Sequence, residues 1–161
     1  MKTTTLALGL ALLAAPAFAQ DKVAQESLGT AFAVELAQST VAACAADGYQ
    51  VTAAVTDRAG NLLALVRAEN AGPHTVDAAT AKAYTSASSR NPTSGIAKAV
   101  QENAGAAGMV DIPGFLVLAG GLPVKSGDVT LGAIGVGGAP GGHLDEACAQ
   151  KALDGLAARL Q

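Results

Sequence analysis

Two histidines are the only imidazoles in this 161-residue chain, and they sit in matching surroundings. His74 follows Gly72-Pro73, His143 follows Gly141-Gly142, and each immediately precedes a stretch that reads as a helix. The positive end of a helix dipole disfavours an imidazolium, and the neutral ring is the form that ligates a metal. Adjacent glycine lets a flat ligand or a second backbone come close. His143 and His74 are therefore candidate metal ligands. The plainer reading is two loop histidines, one of them bonding a helix cap.

Three further side chains complete the candidate binding set. Arg67 ends a strand-like run, and its planar fork suits a carboxylate, such as a haem propionate or a small organic acid. A structural pair with Asp57, Glu69 or Asp77 is the competing role. Lys82 and Tyr84 lie in Ala81-Lys82-Ala83-Tyr84-Thr85 and point to different faces of one helix, so one of them faces solvent or a second subunit. Other chemistries find no support. Gly135-Val136-Gly137 opens like a dinucleotide fingerprint, but Pro140 stands where the third glycine belongs. No phosphate loop, metalloprotease helix or serine elbow is present, so no catalytic residue is assigned.

The elements that must carry these residues are legible from periodicity. Phe32, Leu36, Ala37, Thr40, Ala43 and Cys44 share one face of a helix from about Glu26 to Asp47, with Gly48 as its left-handed terminator. Val51–Thr56 and Leu62–Arg67 read as a hairpin joined through Gly60. Thr75 is placed to cap a helix from Val76 to about Ser89, whose Ala79, Ala83 and Ala87 form a smooth face. Asn91-Pro92 ends it, and Thr93 is placed to cap a shorter helix reaching Asn103. Gly105–Gly108 reads as a loop. Gly114–Leu118, Leu122–Lys125 and Val129–Val136 read as three strands. A last helix runs from Leu144 to about Leu160 with Ala149, Ala152, Leu153, Leu156 and Leu160 as its stripe and Cys148 at the edge. Helices interleaved with hairpins point to an α+β fold, an antiparallel sheet of five strands with flanking helices.

Composition sets the context. Lys2, the apolar run Leu6–Ala15 and Ala17-Phe18-Ala19 occur in the order of a signal peptide, predicted as residues 1–19, with one domain over 20–161. The expected location is the periplasm or outside the cell. Removing 19 of 161 residues leaves 142, and loss of Lys2 moves the net charge from −3 to −4. This mild acidity, without basic clusters, argues against nucleic acid and against anionic membranes as partners. A chain without Trp limits the apolar area one copy can bury, so a homo-oligomer is expected. Cys44 and Cys148 are either a disulfide, which this compartment permits, or two buried thiols.

The chain resembles the GlcG/HbpS-like haem-binding family. The resemblance rests on Ala54–Leu62 with its Asp57-Arg58-Ala59-Gly60-Asn61 centre, Arg67, Ala71-Gly72-Pro73-His74-Thr75 and Ala81–Ser86. It continues through Pro92-Thr93, Gly120–Pro123, Gly132–Pro140 and Asp145–Ala149. It implies a profilin-like α+β fold, higher homo-oligomers and haem or tetrapyrrole binding. It also implies a pocket between the Lys82–Tyr84 helix and the glycine-rich turn before the last helix. Haem degradation is an activity open to such a family, carried mainly by the cofactor. A module that binds an organic acid such as glycolate through Arg67 and helix N-terminal amides, and a structural oligomer without ligand, are the alternatives.

Overall fold

A computed structural model describes residues 23–161; the predicted signal peptide lies outside the described residues. The first helix, α1 (Thr30–Ala46), buries Phe32, Ala33, Leu36, Ala37, Thr40 and Cys44, the face its periodicity predicts. It starts four residues later than Glu26 because the backbone ahead of it is engaged elsewhere. Leu28 N–H donates to Leu131 O, and Gly29 is extended. Gly48, with φ +85°, ends the helix in the left-handed region that glycine tolerates.

Strands β1 (Thr52–Asp57) and β2 (Leu62–Arg67) form the expected hairpin, where Asp57 accepts from both the backbone and the side-chain nitrogen of Asn61. Helices α2 (His74–Ser89) and α3 (Thr93–Glu102) follow. Ala104–Asp111 is 3-10 helix rather than an open loop. Strands β3 (Gly121–Ser126) and β4 (Val129–Gly137) precede α4 (Gly142–Leu156), which ends in a short 3-10 turn, Ala157–Arg159.

The sheet is antiparallel with order β2-β1-β4-β3. It has four strands, not the five expected. The missing strand is Gly114–Leu118: Leu116 N–H donates to the Thr85 hydroxyl, and Phe115 N–H to Ile112 O, so this stretch is bonded to α2 and to its own turn. The neighbouring β3 carries Pro123, which has no N–H to offer a ladder. Two cap assignments also change. Thr75 and Thr93 lie inside their helices behind Pro73 and Pro92, and neither caps. Proline suits those positions because its missing N–H is unpaired there anyway.

Helices α1 and α4 cover one face of the sheet over a core containing Leu36, Val51, Val55, Val124, Ile134 and Val136, all fully buried. Helix α2 covers the other face with Ala79 and Ala83 against Ala54. Its approach is as close as backbone allows: a Cβ on Gly135 of β4 would stand 2.1 Å from Ala79 O and 2.4 Å from Ala83 N. A side chain there would lift α2 off the sheet. On the opposite face, Cys44 of α1 and Cys148 of α4 form a disulfide closing a sequence separation of 104 residues.

A loop of that length makes the disulfide a large constraint on the unfolded chain. The variant Cys44→Ala/Cys148→Ala is expected to lose about 2–5 kcal/mol of unfolding free energy. Urea unfolding of the variant beside the oxidised and the reduced wild type measures it, the reduced form matching the variant.

Candidate functional site

One end of the sheet sets up the site. Arg67 at the end of β2, Thr52 at the start of β1 and Gly137 at the end of β4 lie side by side in one register row. From this row the chain turns twice, through residues 68–73 into α2 and through residues 138–141 into α4. Between the two helix starts opens a cleft of about 580 Å³. That size falls within the range of small-molecule sites, roughly 300–1,000 Å³.

Both histidines line it. They are exposed at its mouth, and their local geometry is the same. A Cβ on Gly72 would stand 2.7 Å from His74 Cε1 and 2.9 Å from Nδ1, and one on Gly141 would meet His143 at the same two distances. Each ring thus folds back onto the glycine two residues before it, a pose that any side chain at that glycine forbids. Ala78 of α2, Ala97 of α3, and Val117, Leu118 and Ala119 supply apolar wall, with Ala139 and Pro140 on the facing turn.

The floor is a buried ion pair. Lys82 Nζ donates to Asp145 Oδ2 at 2.9 Å and to Val136 O at 2.8 Å, with the two side chains 6% and 3% exposed. Asp145 Oδ1 accepts from Ala139 N–H and so also holds the glycine-rich turn. Burial pushes the Asp145 carboxyl above its ordinary value; the Lys82 ammonium and the Ala139 N–H pull the other way and do not outweigh it. The next residue, Glu146, accepts from Ser94 N–H at 3.0 Å and Gly120 N–H at 3.3 Å. The first turn of α4 therefore ties down α2, α3, the turn before itself and the segment before β3.

The structure brings together three of the five residues singled out from sequence: His74, His143 and Lys82. Lys82 reaches the cleft as one half of the ion pair, its charge committed to Asp145. Tyr84 is two residues further along α2, about 200° around the helix. It lines a separate groove with Gly60, Pro113 and Gly114, where its ring meets Phe115 edge-on. Arg67 does not line the cleft; it donates to Ala71 O, just ahead of the His74 turn. Asp145 and Glu146 were legible as first-turn acids only. The stronger signal is that Asp145 shares the spacing of the buried positions Cys148, Ala149 and Ala152. Among the described residues no group of three or more His, Cys, Asp or Glu could hold a bare metal ion, and no helix is long and apolar enough to cross a membrane.

Comparison with known families fits this arrangement. A family described as "Haem degrading protein HbpS-like" matches residues 28–154. The chain belongs to the HbpS-like family. Among solved structures it is similar to a double mutant of HbpS from Streptomyces reticuli, with 39% identity and TM-score 0.80, covering 91% of this chain and 98% of that one. Protein ORFY of Klebsiella pneumoniae shares 28% identity with TM-score 0.77, covering 88% and 99%. A PduOC:heme complex shares the fold at 19% identity and TM-score 0.69, covering 80% and 94%. No curated protein matches. The α+β arrangement of an antiparallel sheet and flanking helices is shared with HbpS.

Removing one partner of a buried pair strands the other charge, which costs about 3–5 kcal/mol. Lys82→Met is expected to lose that much stability by urea unfolding. Lys82→Met/Asp145→Leu, with no charge left to strand, is expected to recover most of it.

Proposed function

We propose that this protein is an exported haem-binding protein whose cleft takes the porphyrin between the two helix starts, with His143 or His74 giving the iron an imidazole nitrogen. The observation that carries the reading is the pairing of two exposed imidazoles, each folded over a glycine, at the mouth of one apolar-walled cleft. The donor set fits: imidazole is a usual ligand of haem iron, and Ala78, Val117, Leu118, Ala119, Ala139 and Pro140 suit a flat apolar macrocycle. Bound haem would supply the redox and oxygen chemistry of its iron. The chain's own residues would hold and shield it, with the imidazoles fixed by their glycine turns and the floor closed by Lys82 and Asp145.

The family's description and its haem-bound fold relative support this reading. Among the described residues Lys82 is the one Lys or Arg that lines the cleft, and Asp145 already holds it. Arg67, bonded to Ala71 O outside the cleft, would accordingly not be the partner of haem propionates. The organic-acid alternative loses its main anchor for the same reason. Export is supported by Lys2, the Leu6–Ala15 run and Ala17-Phe18-Ala19, and a disulfide suits an oxidising compartment.

Titration of the mature protein with haemin is expected to raise a Soret band that is weakened in His143→Ala or His74→Ala and lost in the double variant. An unchanged spectrum in the double variant would rule out histidine ligation. Thermal stabilisation by glycolate-like acids but not by haemin would overturn the haem assignment.

Gly72→Ala and Gly141→Ala test the turns themselves. Each is expected to displace one ring and weaken haemin binding about tenfold or more, the scale of losing a group that orients a metal ligand. The same titration reads it, with circular dichroism confirming the fold.

A further inference from the structure

The row that ends the sheet also carries bonds to the Ala71 and Gly72 carbonyls, which precede Pro73 and His74. Thr75 Oγ1 lies 2.6 Å from Gly72 O, and a hydroxyl facing a carbonyl must give it the proton. A hydroxyl has one proton. At its 2.6 Å contact with Thr52 Oγ1, Thr75 can then only accept, so Thr52 is the donor. The order is Thr52 hydroxyl to Thr75 hydroxyl to Gly72 carbonyl.

Gly72 O also accepts Thr75 N–H at 3.0 Å. One residue earlier, Arg67 Nη1 donates to Ala71 O. Thr52 and Thr75 are 0% and 2% exposed, so water does not compete for these bonds. Together they hold the Gly72–Pro73 peptide plane, and the ring of Pro73 restricts the next φ. The backbone that aims His74 is thus held from β1 and β2. The His143 turn is held differently, through Ala139 N–H and Asp145.

We propose that Thr52, backed by Arg67, is a positioning residue for the His74 imidazole in ligand binding. The inference rests on the haem reading for its ligand but not for its geometry. Thr52 touches no ligand; it acts through Thr75 and Gly72. The two Gly-x-His turns share one ring pose and differ in bracing, so one serves as control for the other.

The test reads the Gly72 and Gly141 Hα resonances by NMR in ligand-free protein, since each glycine lies against the Cε1–Nδ1 edge of an imidazole and its shift reports where that ring stands. In Thr52→Val the Gly72 Hα shift is expected to collapse toward its coil position while Gly141 Hα holds. The haemin dissociation constant is expected to rise about 10–100-fold, the usual effect of removing a partner that orients a metal ligand. Thr52→Ser, which keeps the hydroxyl, is expected to restore both. Arg67→Gln, an exposed change, is expected to move Gly72 Hα in the same direction and keeps the test open should Thr52→Val fail to fold.

An unmoved Gly72 Hα overturns the proposal. So does movement of both glycines together, which would mean a general loosening, and so does a lost Gly72 shift with unchanged haemin affinity. If the wild type binds no haemin, the haem reading falls alone, and the Gly72 resonance still decides whether Thr52 sets the ring.

Discussion

The Lys82–Asp145 ion pair is the contact on which the site depends. Both charges are almost wholly withdrawn from water, and such a pair at best offsets its own desolvation. Its value lies in what it forbids. Any packing of α4 that leaves Asp145 away from Lys82 buries two unpaired charges, so the register of α4 against α2 and β4 is fixed. The same carboxylate holds Ala139, and Glu146 beside it holds α3 and the approach to β3. One helical turn therefore assembles the walls of the cleft, and His143 stands at its edge.

Small residues make that assembly possible. Gly135 and the Ala79–Ala83 stripe bring α2 onto β4 at backbone contact, which places His74 near the level of the sheet's end. Gly72 and Gly141 then let each imidazole bring its Cε1–Nδ1 edge onto the turn that carries it. Such a core offers modest apolar area per residue, and the Cys44–Cys148 disulfide compensates by tying α1 to α4 across the opposite face. Where a larger side chain would have given more burial, glycine and alanine give proximity, and proximity is what the cleft requires.

This division of labour explains why the candidate residues part company. Lys82 and Tyr84 are near neighbours in sequence, yet the helix turns one into the cleft floor and the other into a separate groove. Arg67 suits a carboxylate by chemistry, but the sheet ends beneath the Ala71 carbonyl, and the guanidinium is spent there. The histidines remain exposed at the mouth, with Gln101 also lining the cleft. Imidazole nitrogen and apolar wall are what the cleft offers to the haem proposed for it.

Periodicity and turn chemistry by themselves determined the buried faces of α1 and α2, the β1–β2 hairpin, the stop at Gly48 and the twin Gly-x-His turns, because each depends on residues within a few positions of one another. Even the ion pair left a local trace in Asp145, which falls on the otherwise apolar stripe of Cys148, Ala149 and Ala152. Tertiary structure alone decided the rest. Gly114–Leu118 has the composition of a strand, but its N–H groups were claimed by Thr85 and Ile112 before any sheet edge could take them. The partnership of Lys82 with Asp145, of Cys44 with Cys148 and of Thr52 with Thr75 joins residues 63, 104 and 23 positions apart. Pairings of that range follow from how layers stack, α2 on one face of the sheet and α1 with α4 on the other, rather than from any pattern local to the partners.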